Sequence, residues 1–172
     1  MRTVQSIRGD LTSHPADALV NAANSSLLGG GGVDGAMHAA AGPELLNACR
    51  QLRATRFPHG LPVGHAVATP GFQLVARWVI HTVGPNAHRG ETDPTLLAAC
   101  FHNSLEVAAG LGLQSVAFPA ISAGAFGWDI GAVAPIAWAA VLEHGPSSIE
   151  QVSFVLVSAA AHQAFLSADP RG

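Results

Sequence analysis

The run VSFVLVS at residues 152–158 is almost continuously apolar, the pattern of a strand covered on both faces, and it is the last of several such segments. Residues 4–8, 18–21, 64–69, 78–83, 115–119 and 152–157 are short stretches rich in Val, Ile and Phe, bounded by Gly, Pro, Asn or Ser as strands tend to be. Longer stretches of helical pattern separate them. Residues 35–53 are interrupted at Gly42-Pro43, where a new helix can begin with proline at its first position. Residues 94–111 lie between Asp93, an N-cap, and Gly112, a C′ residue. Residues 130–144 follow Asp129, and residues 159–168 follow Ser158. Strands alternating with helices imply an α/β fold, with a largely parallel sheet and helices on both faces. The chain of 172 residues has no repeat or linker to divide it, so a single domain spanning 1–172 is expected.

Composition narrows the function classes. The apolar fraction is 49% against 11% charged, which excludes a disordered chain. All 8 basic residues are arginines and the net charge is −3, so no strong nonspecific nucleic-acid binding is expected. Cys49 and Cys100 form no CxxC pattern and fall in helical stretches, reading as buried, reduced thiols. The N-terminal residues lack the apolar core of a signal peptide, and no stretch approaches a membrane span. A cytoplasmic location is expected.

Two glycine-rich loops lead from a strand into a helix: NSSLLGGGGVDG, at 24–35, and ISAGAFGWDIG, at 121–131. In open α/β sheets ligands bind outside the carboxyl ends of the strands, where such loops converge. Helix N-termini there offer unpaired N–H groups and a positive dipole end, which favours an anion such as phosphate. Plain glycine-rich connections are a second reading, since neither loop is a P-loop or carries GxGxxG in its usual place. Asp34 and His38 are four apart, on one face of a helical turn, and Asn24 precedes the glycines. If the loop wraps a ligand, these three converge at its mouth. Taken singly, Asp34 also reads as an N-cap, His38 as a satisfied half-buried histidine, and Asn24 as a turn residue. The remaining histidines have no metal-ligand spacing, so no metal site is expected.

The motifs GDLT at 9–12, DALVNAANSSLLGGGGVDGAMHAAAGPEL at 17–45, VIHTVGP at 79–85 and FPAISAGAFG at 118–127 resemble those of MacroD-type macrodomains in residues, order and spacing. The resemblance implies a three-layer α/β/α fold around a mixed, mostly parallel sheet of about six strands. It also implies an ADP-ribose ligand. Carried over by motif, Asp10 would accept the adenine amino group, with the Leu11 amide beside it. Gly31, Gly32 and Val33 would line the distal ribose and the adjacent phosphate. Ser122, Ala123, Gly124 and Ala125 would close over the diphosphate, and Phe126 would pack on the distal ribose. Asn24, Asp34 and His38 would form the catalytic set: Asn24 on a ribose hydroxyl, Asp34 on an attacking water, and His38 orienting Asp34. The implied activity is hydrolysis of mono-ADP-ribose from Asp or Glu esters and of O-acetyl-ADP-ribose, with no cofactor beyond ADP-ribose as ligand and product. ADP-ribosylated proteins would be the partners, and a monomer is expected by analogy. A non-catalytic ADP-ribose reader and an ADP-ribose-1″-phosphate phosphatase are the alternatives.

The chain departs from the family pattern at several places. The second loop, commonly STGVYGYP, is SAGAFGWD here, so Ala123 replaces a threonine and Phe126 a tyrosine. Ala39 stands where an arginine is common. Val157 falls where an aromatic often stacks on adenine, or Phe165 takes that role from the following helix.

Overall fold

The computed structural model describes residues 2–143 and 145–172. Its strands are β1 (Thr3–Arg8), β2 (Ala18–Ala23), β3 (Ala66–Pro70), β4 (Trp78–Val83), β5 (Ser115–Phe118) and β6 (Gln151–Leu156). Its helices are α1 (Gly32–Ala41), α2 (Pro43–Thr55), α3 (Pro94–Gly110), α4 (Ile130–Glu143) and α5 (Ala159–Ala168). The strands form one sheet in the order β1-β6-β5-β2-β4-β3. Only the edge pair β3–β4 is antiparallel; the other pairs are parallel. The expected three-layer architecture is therefore present. Among the described residues, no helix is long and apolar enough to cross a membrane.

Local chemistry sets most boundaries. Pro43 opens α2 at its first turn. The Asp93 carboxylate accepts from the Thr95 N–H ahead of α3, and the Ser158 hydroxyl accepts from the Ala161 N–H ahead of α5. Where boundaries differ from expectation, pairing or turn geometry explains it. Strand β2 continues past Asn21 because Ala22 and Ala23 pair with Thr82 and Val83. Strand β3 starts at Ala66 because Gly64 takes a left-handed turn, φ +85°. Helix α1 starts at Gly32, ahead of the expected Gly35. The expected end of the fourth helical stretch, at His144, lies outside the described residues.

Side chains alternate across the sheet as strand geometry requires. Val20, Ile80, Val116, Phe118 and Phe154 face α3, α4 and α5 in one core. Leu19, Val79, Ala117 and Val155 face the opposite way, with Met37 and Leu45 of α1 and α2. Phe154 is central to the first core, its ring 5.1 Å from Trp138 and 5.0 Å from Phe165. Truncating such a buried ring costs about 3–5 kcal/mol. The parallel strands β1, β6, β5 and β2 present their carboxyl ends along one edge, and the loops leaving that edge build the site.

Candidate functional site

The first loop runs from β2 into α1 and is held by short-range bonds. Asn24 Nδ2 donates to Gly29 O at 3.0 Å, and Ser26 Oγ donates to Asn24 Oδ1 at 2.5 Å. Buried Leu27 adopts φ +59°, a conformation unfavourable for a residue with a Cβ, and its N–H donates to Asn24 O. Gly29 and Gly32 also take positive φ, +91° and +58°. The N-cap of α1 is Gly31, with no side-chain cap. Asp34 therefore does not cap the helix: it is the third helical residue, 4% exposed, and turned toward the sheet. Among the described residues, the N–H groups of Gly31, Gly32 and Val33 have no partner.

The second loop links β5 to α4. Ser122 sits at φ +68°, donates its hydroxyl to Pro85 O at 2.8 Å, and accepts from the Trp128 N–H at 3.0 Å. Gly84 permits this approach, since a Cβ there would lie 2.2 Å from Ser122 Oγ. The Ala123 N–H bonds to Ala120 O, whereas the N–H groups of Gly124, Ala125 and Phe126 have no partner among the described residues.

The two loops face each other across one cleft. Its inner part is lined by Asn24, Gly30, Gly31, Asp34, Ala125 and Phe126, with Ser122 behind. Gly32, Val33 and Gly124 belong both to this part and to a wider cavity of about 610 Å³, which falls in the size range of small-molecule sites. Asp10, Leu11, Ala123, Val157 and Ser158 line the wider cavity. Asp10 closes a 3₁₀ turn through one oxygen, Oδ1, which accepts from the N–H and hydroxyl of Thr12. Every residue expected at the site except His38 thus lines one continuous cleft. His38 stands behind it, with Nε2 3.4 Å from Asp34 Oδ1.

Asp34 is held asymmetrically. Its Oδ1 accepts from Asn21 Nδ2 at 2.9 Å, while Oδ2 is buried without a partner among the described residues. A Cβ on Gly30 would lie 3.2 Å from that oxygen and 3.3 Å from Asn24 Nδ2. The bare Gly30 backbone keeps a gap open between the two groups. Asn21 in turn approaches His81 Nδ1 at 3.2 Å, and His81 Nε2 lies 2.9 Å from Thr69 Oγ1. Complete burial, reinforced by the nearby His38, pushes the His81 pKa down to about 3, so the ring is neutral. Burial and the Asp34 charge push the Cys49 thiol up to about 11. Gly30, Asn21 and His81 were not among the expected site residues. A polar side chain inside an apolar strand was the available signal, because a buried polar group needs a partner.

Two expectations need correction. Phe165 does not reach the wider cavity: it is 0% exposed, packed on Phe154, and its carbonyl accepts from Trp138 Nε1. Val157, 83% exposed, lines that cavity instead. The reading of Asp34 as an N-cap is replaced by the Asn21 contact described above. Among the described residues, no three His, Cys, Asp or Glu side chains come together as a metal site.

The Macro domain family model matches residues 20–137. The chain is 52% identical over 162 residues to a macro domain-containing protein of Streptomyces griseus, covering 94% of this chain and 92% of the relative. It is 51% identical over 152 residues to a Citrobacter rodentium protein named O-acetyl-ADP-ribose deacetylase, covering 87% and 85%. Among solved structures, a variant of the Oceanobacillus iheyensis macrodomain with ADPR superposes with a TM-score of 0.92 at 40% identity, covering 97% of this chain and 91% of that one. The chain belongs to the Macro domain family.

Proposed function

We propose that this macrodomain binds ADP-ribose and hydrolyses it from the ester it forms with Asp or Glu side chains, and that it deacetylates O-acetyl-ADP-ribose. The observation that carries this reading is the unpartnered, buried Oδ2 of Asp34, which lies beside Gly30 and Asn24 among the residues lining the cleft. A site built only to bind a diphosphate gains nothing from a buried carboxylate, which raises the cost of placing negative charge nearby. The free N–H groups of Gly31, Gly32 and Val33 face those of Gly124, Ala125 and Phe126. They supply a neutral grip on a diphosphate without the desolvation cost of a buried lysine. The wider cavity takes adenosine, with Asp10 accepting from the adenine amino group. The distal ribose then lies in the inner part, against Phe126 and Asn24.

In this arrangement a water held between Asp34 Oδ2 and the ligand phosphate attacks the ester carbonyl. Asp34 orients the water and takes its proton. Collapse of the tetrahedral intermediate breaks the bond between the acyl carbon and the ribose oxygen. That oxygen takes up the proton and departs as the hydroxyl of ADP-ribose, while the side chain is released as a carboxylic acid that ionises. A positioned base contributes about 10²–10⁴-fold, and holding the reacting end against Asn24 adds the advantage of proximity. His38 orients Asp34 from behind. The relative named as a deacetylase supports the ester chemistry. The test is calorimetric titration with ADP-ribose, followed by turnover of glutamate-modified mono-ADP-ribosylated protein by wild type and Asp34→Ala. Binding and turnover by wild type, with binding alone by the variant, is the expected result. Binding without wild-type turnover on either ester would make the chain a reader. Phosphate release from ADP-ribose-1″-phosphate, without ester cleavage, would make it a phosphatase.

A further inference from the structure

The sheet face beneath α1 and α2 carries a line of buried polar side chains whose donors and acceptors can be assigned one by one. Asn21 and His81 are direct neighbours in the β2–β4 register. They and Thr69 are 0%, 0% and 3% exposed, so every hydrogen bond among them counts fully. The Asn21 carboxamide places Nδ2 within reach of both Asp34 Oδ1 and His81 Nδ1. The reverse orientation would oppose two acceptors, Asn21 Oδ1 and the carboxylate. His81 Nδ1 must then accept, which puts its proton on Nε2, pointing at Thr69 Oγ1 at 2.9 Å. Asn21 Oδ1 is left buried and without a partner among the described residues.

We propose that Asn21 and His81 are positioning residues: the Nε2–H tautomer of His81 locks the Asn21 amide, which holds Asp34 by Oδ1 and leaves Oδ2 facing the cleft. This rests on the hydrolase reading above for its kinetic consequence, though not for its geometry. The groups facing Asp34 are His38 from α1 and Asn21 from β2, with His81 of β4 and Cys49 of α2 behind. Deleting a donor to a buried carboxylate oxygen favours its protonated form. Loss of the lock therefore leaves a smaller fraction of the carboxylate ionised at low pH and moves the acid limb of the pH–kcat profile upward.

Two measurements decide the matter. Imidazole nitrogen NMR of the wild-type protein reads the His81 tautomer directly. A neutral Nε2–H ring unchanged from pH 5 to 8 is expected, and an Nδ1–H ring, or titration in that range, overturns the proposal. The second measurement is kinetic, on His81→Phe, with His81→Asn as the conservative variant whose amide oxygen can replace Nδ1. His81→Phe frees the Asn21 amide to turn away from the charged Asp34 and should lower kcat by about tenfold or more, the weight of that one charge-assisted hydrogen bond, with ADP-ribose affinity nearly unchanged. Its acid limb should move to higher pH, and His81→Asn should restore most of both. A folded His81→Phe with wild-type kcat and pH profile would refute the positioning role. If His81→Phe does not fold, Thr69→Val provides the second variant: it removes only the hydroxyl facing Nε2, so the Nε2–H ring held by Asn21 should persist, and conversion to Nδ1–H there would overturn the proposal. If wild type shows no turnover, the hydrolase reading fails while the NMR result still decides the network.

Discussion

Gly30→Ala adds one methyl group at the point where the proposed water must sit. Its Cβ would lie 3.2 Å from Asp34 Oδ2 and 3.3 Å from Asn24 Nδ2, so each neighbour gives by only a few tenths of an ångström. Gly30 does not take a left-handed φ, so alanine meets no backbone strain there. Replacing glycine by alanine at a compatible position stabilises by about 0.4–1 kcal/mol through the unfolded chain, which offsets the tight contacts. The melting temperature should therefore stay within about 4 °C of wild type. Activity should behave differently. A water bonded to Oδ2 sits at about 2.8 Å, and the methyl occupies that approach. Excluding it removes base catalysis worth about 10²–10⁴-fold, or roughly 3–5 kcal/mol in barrier height. Release of ADP-ribose from glutamate-modified protein, together with calorimetry and a thermal melt, reads all three quantities. Turnover within a factor of about three of wild type, in a protein of unchanged affinity and stability, would show that the gap beside Gly30 is not where the water sits.

Three other perturbations follow from the same structure. Gly84→Ala places a Cβ 2.2 Å from Ser122 Oγ and 2.7 Å from Ile121 Cγ2; overpacking of this kind costs about 1–3 kcal/mol, measurable as a lower urea midpoint, and should also weaken ADP-ribose binding by displacing the second loop. His81 has a folded pKa near 3, below its ordinary 6.5, so the unfolded state binds the extra proton and stability is lost as pH falls from about 6.5 toward 3. Between pH 7.5 and 5 that loss is about 2 kcal/mol, and urea titrations should show a smaller pH dependence in His81→Phe. Val157→Tyr places an aromatic ring on the open wall of the wider cavity, and base stacking of about 1–3 kcal/mol should tighten ADP-ribose binding in a calorimetric titration.

Much of the architecture was legible because strand and helix periods differ so clearly here. Residues 78–83 and 159–168 were bounded correctly by Trp78 with its β-branched neighbours, and by the Ser158 cap. The glycine loops were visible as site builders because they stand at strand ends. What remained hidden depended on partners distant in sequence. Asn21 read as the end of a strand, since only its pairing with His81 on β4 shows it to be an interior residue with a polar neighbour. Phe165 read as a candidate for adenine because its helix follows β6 directly. In fact it lies against Phe154 and Trp138, on the face of α5 buried in the core. Asp34 could be a cap or a working acid from sequence alone, and the start of α1 at Gly32 removes the cap reading.

The most direct test of the central claim is single-turnover cleavage of glutamate-linked ADP-ribose by Asp34→Asn, with ADP-ribose affinity measured on the same preparation. The substitution keeps the side-chain volume and removes only the basic oxygen. The account predicts a rate lower by about 10²–10⁴-fold with affinity equal to or better than wild type, since a buried negative charge has been removed. Cleavage at the wild-type rate with intact binding would contradict it.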